Sequence, residues 1–129
     1  MNDIKTKPSP FTGEHGGAAR LDVPDFTHHD DEGGAPWFAN LQIEYVPREE
    51  VIETDSIAEY FDNWRDEKIS PNDAVQKICK EISDACTPMA INIAATYRNR
   101  GGVTLNLHAK YVHPDARQGG SRIMTPGHA

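Results

Sequence analysis

The sequence has few cysteines, a deficit of positive charge and no long hydrophobic run. Two cysteines in 129 residues exclude a disulfide framework. Thirteen Lys and Arg against 20 Asp and Glu, a formal net charge of −7, argue against general nucleic-acid binding, which needs a basic face. No run of about 18 apolar residues is present to span a membrane, and residues 1–10 lack the apolar segment of a secretory signal. We therefore expect a reduced, cytoplasmic protein that binds neither nucleic acid nor membranes.

The length and the apolar content predict one domain with a modest core. Hydrophobic residues make up 37% of the chain, below the usual ~45–50% of globular proteins, a figure that also counts Gly. Residues 1–18 and 114–129 are rich in Gly, Pro and polar groups and have almost no apolar periodicity. Such segments bury too little apolar surface to offset their ordering entropy. We predict a flexible N-terminal tail (1–18), a folded domain (19–113) and a flexible C-terminal tail (114–129).

Alternation of apolar and polar residues predicts four strands, around residues 21–26, 38–46, 91–97 and 103–109. Pro24 marks the first as irregular or as an edge strand. A turn that contains Gly101 and Gly102 joins the last two as a hairpin, in which Val103 begins the apolar face of the final strand.

Two amphipathic helices are predicted between the second and third strands. The apolar face of the first helix has i, i+3, i+4 and i+7 spacing and comprises Ile57, Tyr60, Phe61 and Trp64. Thr54 or Asp55 is its expected cap. Ser70 is the expected N-cap of the second helix, followed by Pro71 at its first position and Asp73 at its third.

The apolar stripe of the second helix includes both cysteines, Cys79 and Cys86. A buried cysteine behaves as a small hydrophobe with a raised pKa, so we predict core positions for both. The element order ββααββ indicates an α+β domain, an antiparallel four-stranded sheet with both helices on one face. Because such a sheet has unpaired edge strands, we expect a homo-oligomer formed through the sheet edges.

Five short sequence motifs occur between Asp25 and Thr104 in a fixed order and at fixed spacing. They are Asp25-Phe26-Thr27, Phe38-Ala39, Glu44-Tyr45-Val46-Pro47 followed by Glu53, Thr87-Pro88, and Arg100-Gly101-Gly102-Val103-Thr104. Together they resemble the QueF family of the tunnelling-fold (T-fold) superfamily, the NADPH-dependent 7-cyano-7-deazaguanine reductases of queuosine biosynthesis. The resemblance implies a T-fold whose subunits assemble through their sheets into a barrel-like tunnel, with active sites at the subunit interfaces.

The resemblance also implies site positions. In the family a cysteine adds to the nitrile to form a thioimide, an aspartate donates a proton and NADPH is the reductant. The matching positions here are Asp30 for the cysteine and Trp37 for the aspartate. A substrate-holding His-Glu pair matches Pro71 and Asn72, and a Glu-Ser-Lys-Ser segment for substrate and cofactor matches residues 53–56, with Asp55 in place of Lys.

These differences predict altered chemistry. A carboxylate is a far weaker nucleophile than a thiolate, so Asp30 cannot replace the cysteine, and Asp55 would repel the phosphates of NADPH. We expect a divergent member that binds a purine-like or other planar heterocycle at a subunit interface, without the thioimide reductase reaction. One alternative is a non-catalytic structural or regulatory paralogue, alone or with a related T-fold subunit. The other is a 7-cyano-7-deazaguanine reductase that acts by another route.

Residues 28–36 are predicted to form a loop with the densest cluster of possible ligands. His29 and Asp30 are the candidate catalytic residues. We expect no metal site, but His28, His29 and Asp30 are the candidates for one, since imidazole and carboxylate together suit divalent metals. The alternative is a solvated polar loop.

Five residues are candidates for ligand binding: Glu53, Ser56, Trp37, Asn72 and Arg100. Trp37 either fills the former acid position or stacks on a planar ligand. Glu53 either accepts N–H donors from a heterocycle or stabilises a helix N-terminus. Arg100 precedes a glycine hairpin and is either a surface residue or an anion contact.

Overall fold

A computed structural model of the chain describes residues 4–11, 16–32 and 34–119. The strands are β1 (Thr6–Pro8), β2 (Ala19–His29), β3 (Pro36–Val46), β4 (Glu50–Ile52), β5 (Ala90–Arg100) and β6 (Val103–Val112). The helices are α1 (Thr54–Asp62), a 3₁₀ turn (Asn63–Asp66), α2 (Pro71–Cys86) and α3 (Pro114–Gly119). In this part of the chain, no helix is long and apolar enough to cross a membrane.

Four strands form one antiparallel sheet in the order β2-β3-β5-β6, which confirms the predicted architecture. The register of β2 against β3 shifts between Val23 and Phe26, where Pro24 removes a backbone donor. Strand β2 is therefore both irregular and at an edge, as Pro24 predicted. Strand β6 forms the opposite edge of the sheet.

The core lies between one face of this sheet and the helices. Inward-facing residues of β3 and β5 are almost fully buried, and they are Ala39, Leu41, Ile43, Tyr45, Ile91, Ile93, Ala95 and Tyr97. From the helical side, Ile57, Tyr60, Trp64, Ile78 and Ile82 complete the core. Burial of each large apolar side chain stabilises the fold by about 1.5–3 kcal/mol, so this layer carries most of the favourable free energy.

The predicted apolar face of β6 is buried at Ala109 but not at the start of the strand, where Val103 is 63% exposed. Helix α2 packs near Lys110 and Tyr111, and Val103 lies about 23 Å away along the strand at ~3.3 Å per residue. The hairpin end of β6 therefore extends beyond the cover of α2, which alternation alone could not predict.

The start of α2 matches its prediction. Ser70 is the N-cap, and its hydroxyl accepts a hydrogen bond from the Asp73 N–H at 3.4 Å, while Pro71 is the first helical residue. For α1 the predicted cap is wrong: Glu53, not Thr54 or Asp55, is the N-cap and makes no side-chain cap bond. Its N–H instead donates to the Lys5 carbonyl at 2.8 Å, which holds Glu53 in the extended region.

The N-terminal boundary of the folded part also differs from the prediction, because β1 lies within the predicted tail. Strand β1 pairs with β4 in an antiparallel ladder, with Thr6 opposite Ile52 and Pro8 opposite Glu50. Backbone hydrogen bonds order β1, together with the packing of the preceding Ile4 against the core, so its composition gives little signal. At the other end, α3 buries Ala116 within the predicted C-terminal tail. Residues 1–3, 12–15 and 120–129 of the predicted tails lie outside the described residues.

Candidate functional site

The position predicted for the nucleophile lies at one end of the sheet, where β2 leads towards β3. Strand β2 continues through His28 and His29, and β3 begins at Pro36, so the prediction of a loop over residues 28–36 is wrong for these three. The His29 N–H donates to the Glu67 carbonyl at 2.9 Å, and the His29 carbonyl accepts from Ile69 N–H at 3.0 Å. This pairing with the segment before α2 extends the strand, and Asp30 is the first residue beyond it.

His28 is fully buried and is part of the core. Its Nδ1 lies 3.1 Å from the His29 carbonyl oxygen, which can only accept, so Nδ1 carries the proton. Its Nε2 lies 2.8 Å from the Tyr97 hydroxyl and accepts from it. Burial lowers the pKa of His28, which keeps the imidazole neutral. His28 is thus not available as a ligand to a metal.

His29 turns its ring in another direction. Its Nδ1 donates to the Arg65 carbonyl oxygen at 2.8 Å, which leaves the lone pair on Nε2. Asp30 points instead towards Arg100. Among the residues that the structure describes, no group of three or more His, Cys, Asp or Glu is placed to hold a metal ion. The reason is that His28, His29 and Asp30 diverge from one another.

Asp30, Trp37, Tyr97 and Arg100 come together at this end of the sheet, and we call them the Trp37 cluster. The Arg100 guanidinium carbon lies 3.8 Å from the centroid of the Trp37 ring. Its Nη2 lies 3.8 Å from Asp30 Oδ2, with each side chain about one third exposed. The Trp37 and Tyr97 rings are perpendicular, with their centroids 5.7 Å apart. A planar cation is therefore stacked on an indole beside a carboxylate.

Two donors in the Trp37 cluster lack an acceptor. Trp37 Nε1 and Arg100 Nη1 are both buried, and neither has a hydrogen-bond partner among the described residues. An unsatisfied buried donor costs about 1–3 kcal/mol. The cluster therefore has unused hydrogen-bonding capacity.

Glu53 and Ser56 lie at the opposite end of the sheet. Ser56 Oγ donates to the Glu53 carbonyl at 3.0 Å and accepts from the Lys5 N–H at 2.9 Å. The neighbouring Ile52 N–H donates to the Tyr45 hydroxyl at 3.0 Å, and Tyr45 is eight residues from Trp37 in β3, about 27 Å at ~3.4 Å per residue. Within one subunit, these two candidates do not share a site with the Trp37 cluster.

Asn72, the remaining ligand candidate, is exposed in the first turn of α2. That turn follows Ile69, which is bonded to the His29 carbonyl. Asn72 therefore lies on the same side of the domain as the end of β2, in contrast to Glu53.

Neither cysteine is placed as a nucleophile. Cys79 and Cys86 are both buried in α2, as predicted. Burial raises the pKa of Cys79 and raises that of Cys86 to about 12. Both are therefore protonated thiols at neutral pH, and their role is to fill the core.

The segment at residues 53–56 does not fit the phosphates of NADPH, the cofactor that the family resemblance implies. Glu53 and Asp55 both carry carboxylates here, and Asp55 stands in the first turn of α1. The Ser56 hydroxyl is already bonded to Lys5 and Glu53. No cofactor-dependent step follows from these residues.

Two contacts of the site were missed from the sequence, the His28–Tyr97 hydrogen bond and the Arg100–Trp37 stack. A signal for the first exists, because His28 continues the alternation of Phe26 and so belongs on the core face. The second joins residues 63 positions apart and has no local signal.

Two grooves flank the edges of the sheet. The groove between β2 and α1 has a volume of about 340 Å³ and an apolar lining that includes Val23 and Phe61, with Asp22, Asp25 and Asp62 around it. The groove between α2 and β6 has a volume of about 640 Å³ and is lined by Lys80, Asp84 and Lys110, of which Lys80 and Asp84 are paired at 2.8 Å. Acidic groups thus outnumber basic ones at the first edge, and lysines outnumber acidic groups at the second.

Comparison with known proteins places these features in context. A family model described as "QueF-like protein" matches residues 36–116. An NADPH-dependent 7-cyano-7-deazaguanine reductase from Gloeothece citriformis is 34% identical over 109 residues, which cover 84% of this chain and 78% of that protein. The protein of the same name from Thioalkalivibrio sulfidiphilus is 31% identical, with 88% of this chain and 87% of that protein covered.

A solved structure agrees with the fold. The apo form of an archaeosine synthase QueF-Like superposes with a TM-score of 0.66 at 16% identity, and covers 72% of this chain and 91% of that one. This similarity confirms the predicted α+β T-fold.

Proposed function

Since the chain belongs to the QueF family, we propose that it binds a purine-like planar heterocycle at a subunit interface and does not carry out the cysteine-dependent reduction of a nitrile. The observation that carries the proposal is the Trp37 cluster. Trp37 holds a planar group, the Arg100 guanidinium, at 3.8 Å from its ring centroid. Asp30 stands at the edge of that planar group.

This arrangement suits a heterocyclic base. An aromatic face supplies stacking, worth about 1–3 kcal/mol per base, and a carboxylate accepts N–H groups from the edge of the ring. The unpartnered N–H of Trp37 can donate to an acceptor of the ligand. The relatives are named as 7-cyano-7-deazaguanine reductases, and 7-cyano-7-deazaguanine is such a planar base.

The cysteine positions argue against thioimide formation. The chain has two cysteines, and Cys79 and Cys86 are both buried in α2 with raised pKa values. A thiolate is the species that adds to a nitrile, and position 30, where the family resemblance expects it, holds a carboxylate. If the protein has a reaction, Asp30 and the Nε2 of His29 are its candidate acid–base groups.

The distance between the candidate residues supports a site at a subunit interface. Ile52, next to Glu53, bonds to Tyr45, whose backbone lies about 27 Å along β3 from Trp37. Glu53 and Ser56 can therefore reach the same ligand as the Trp37 cluster only from a neighbouring subunit. The edges β2 and β6, with the acidic and lysine-bearing grooves beside them, are the surfaces for assembly. The partner is a second copy of this chain or a related T-fold subunit.

Isothermal titration calorimetry with 7-cyano-7-deazaguanine tests the proposal. Wild-type protein is expected to bind, and Trp37→Ala to bind roughly 5- to 150-fold more weakly, the equivalent of about 1–3 kcal/mol of stacking. Phe38→Ala is the matched control, because Phe38 is the next residue, lies on the other face of β3 and also carries an arginine, Arg98, over its ring at 5.4 Å.

Two results would contradict the proposal. Absence of binding both to the wild-type protein and to a variant that lacks the Arg100 guanidinium overturns heterocycle binding. Steady consumption of NADPH in the presence of 7-cyano-7-deazaguanine, monitored by its absorbance at high protein concentration, would make the protein a reductase by a route other than thioimide formation.

A structural or regulatory subunit is the second candidate function. It is favoured by the packing of Trp37, which has Tyr97 on one side and Arg100 on its ring face, so that the position is filled. In that case the wild-type protein binds no heterocycle, and Trp37→Ala lowers stability without any effect on binding.

A further inference from the structure

We propose that Arg100 is a built-in competitor of the ligand. Its guanidinium occupies the place of the ligand's hydrogen-bonding edge on Trp37 and must leave before the ligand enters. The proposal rests on the heterocycle-binding function proposed above, and it adds the residue that gates the site.

Arg100 occupies the space between the Trp37 ring and Asp30, which we call the slot. A ligand that competes for the slot presents the same groups as the guanidinium. A guanidinium is a planar fork of N–H donors that a carboxylate recognises through parallel hydrogen bonds. In the Trp37 cluster, this fork lies on the Trp37 ring at 3.8 Å and faces Asp30. A heterocycle with a ring nitrogen and an exocyclic amine on one carbon, such as a 2-aminopyrimidine ring, has the same shape and donors. It can stack on the same indole and bind the same carboxylate.

The hydrogen-bonding groups of Arg100 are incompletely satisfied in this place. Its Nη2 lies 3.8 Å from Asp30 Oδ2, longer than a hydrogen bond. Its Nη1 is buried with no acceptor among the described residues, whereas water would satisfy it outside the slot. The docked position is therefore not a fully satisfied one, and departure to solvent restores a hydrogen bond to the guanidinium.

The backbone next to Arg100 is suited to such a movement. Gly101 and Gly102 follow it, with φ of +63° and +86°, and nothing lies within 4 Å of a Cβ placed at either. The register of β5 against β6 also shifts between Tyr97 and Arg100. Arg100 thus lies at the end of the regular ladder, beside an open turn.

The alternative role for Arg100 is a direct contact to an anionic ligand. An anion in the slot would face the Asp30 carboxylate as well as the guanidinium, and like charges repel. The two roles predict opposite effects of removing the side chain. A competitor lowers the apparent affinity in proportion to the fraction of protein in which the slot is open, so its removal tightens binding. A ligand contact raises the affinity, so its removal weakens binding.

The test is calorimetric titration of the full chain with 2-aminobenzimidazole, a planar bicycle with a guanidine edge, and with benzimidazole, which lacks the exocyclic amine. Arg100→Ala is expected to bind 2-aminobenzimidazole about tenfold more tightly than wild type, as when the open slot is roughly one tenth populated. Arg98→Ala is the matched control, because Arg98 is a neighbouring arginine of β5 that pairs with Asp25 outside the cluster, and it should leave the affinity unchanged.

Two further variants identify which edge of the ligand the protein recognises. Asp30→Asn in the Arg100→Ala background should abolish the preference for 2-aminobenzimidazole over benzimidazole. Arg100→Gln, which keeps most of the length of the side chain without its charge, should also bind more tightly than wild type, and it serves if Arg100→Ala does not fold.

The outcomes separate the two proposals. Equal or weaker binding by both Arg100 variants, with binding by wild type intact, overturns the competitor role and leaves heterocycle binding standing. If neither wild type nor the Arg100 variants bind these probes or 7-cyano-7-deazaguanine, heterocycle binding fails and the competitor role fails with it.

Discussion

At the scale of single residues, position 30 determines which chemistry is available at the end of β2. A carboxylate accepts N–H donors and pairs with cations, but it does not add to a nitrile as a thiolate does. Asp30 pairs with Arg100, which lies on the Trp37 ring, and in the proposed function it orients a planar base on the indole. The neighbouring His28 contributes in another way, as a neutral member of the core.

The burial of His28 predicts a loss of stability in mild acid. Burial lowers the pKa of His28 from its usual 6.5, so the unfolded chain binds more protons than the folded one below pH 6.5. The free energy of unfolding should therefore be independent of this group above pH 6.5 and should fall below it, by at most about 1.4 kcal/mol per pH unit, until the folded-state pKa is reached.

Thermal or urea unfolding between pH 7.5 and 5.5 measures this dependence. His28→Gln retains a polar side chain that can bond to Tyr97 but does not titrate, so its unfolding free energy should change less over this range than that of wild type. An equally steep decrease in both proteins would show that another group is responsible.

At the scale of elements, the two ends of α2 differ: its N-terminus has residues suited to a helix start, and its C-cap residue has a strained backbone. Ser70 and Pro71 start α2 with residues suited to these positions. The same helix ends at Thr87, whose φ of 43° lies in the left-handed region that a β-branched residue rarely adopts. The end of α2 is therefore set by the following Pro88 and by the packing of β5 rather than by a residue that favours this conformation.

Thr87→Gly is expected to stabilise the protein. Release of the left-handed strain, about 1–2 kcal/mol, exceeds the added backbone entropy of glycine, about 0.5–1 kcal/mol, so the net gain should be roughly 0.5–1 kcal/mol. The control is Thr54→Gly, an exposed threonine within α1, which should lose a few tenths of a kcal/mol, roughly. Chemical denaturation compares the two, and a loss of stability in Thr87→Gly would contradict the prediction.

At the scale of the whole molecule, the candidate residues are divided between the two ends of the sheet. The Trp37 cluster lies at one end, and the pairing of β1 with β4 holds residues 53–56 at the other. Both edge strands, β2 and β6, have an open groove beside them. Assembly of copies through these edges is the arrangement that would bring residues from the two ends of the sheet to one ligand.

Native mass spectrometry is expected to show a multiple of the 14.3 kDa subunit. Val23→Lys places a charge in the apolar groove at the β2 edge, and charges on edge strands oppose pairing, so this variant should shift towards monomer. Gln42→Lys adds the same charge to the exposed face of the central strand β3 and should keep the wild-type mass. A wild-type protein that is monomeric at all concentrations would contradict both the assembly and the interface site.

The sequence by itself determined the four strands of the main sheet, both long helices, the N-cap of α2 and the burial of both cysteines. These features depend on periodicity, capping and turn chemistry within a few residues, which the chain displays locally. Alignment of the chain's motifs with the QueF family pattern also led to Asp30, Trp37 and Arg100 as candidate site positions.

Only the tertiary structure decided how those positions meet. The ladder between β1 and β4 joins segments about 45 residues apart, and the His28–Tyr97 bond and the Arg100–Trp37 stack each join residues more than 60 apart. The strength of such contacts depends on how close the two groups are and how deeply they are buried. Both are set only when β2, β3 and β5 pair in the sheet. For this reason the sequence offered Asp30, Trp37 and Arg100 only as separate candidates, whereas the docking of Arg100 on Trp37 emerged only from the folded chain.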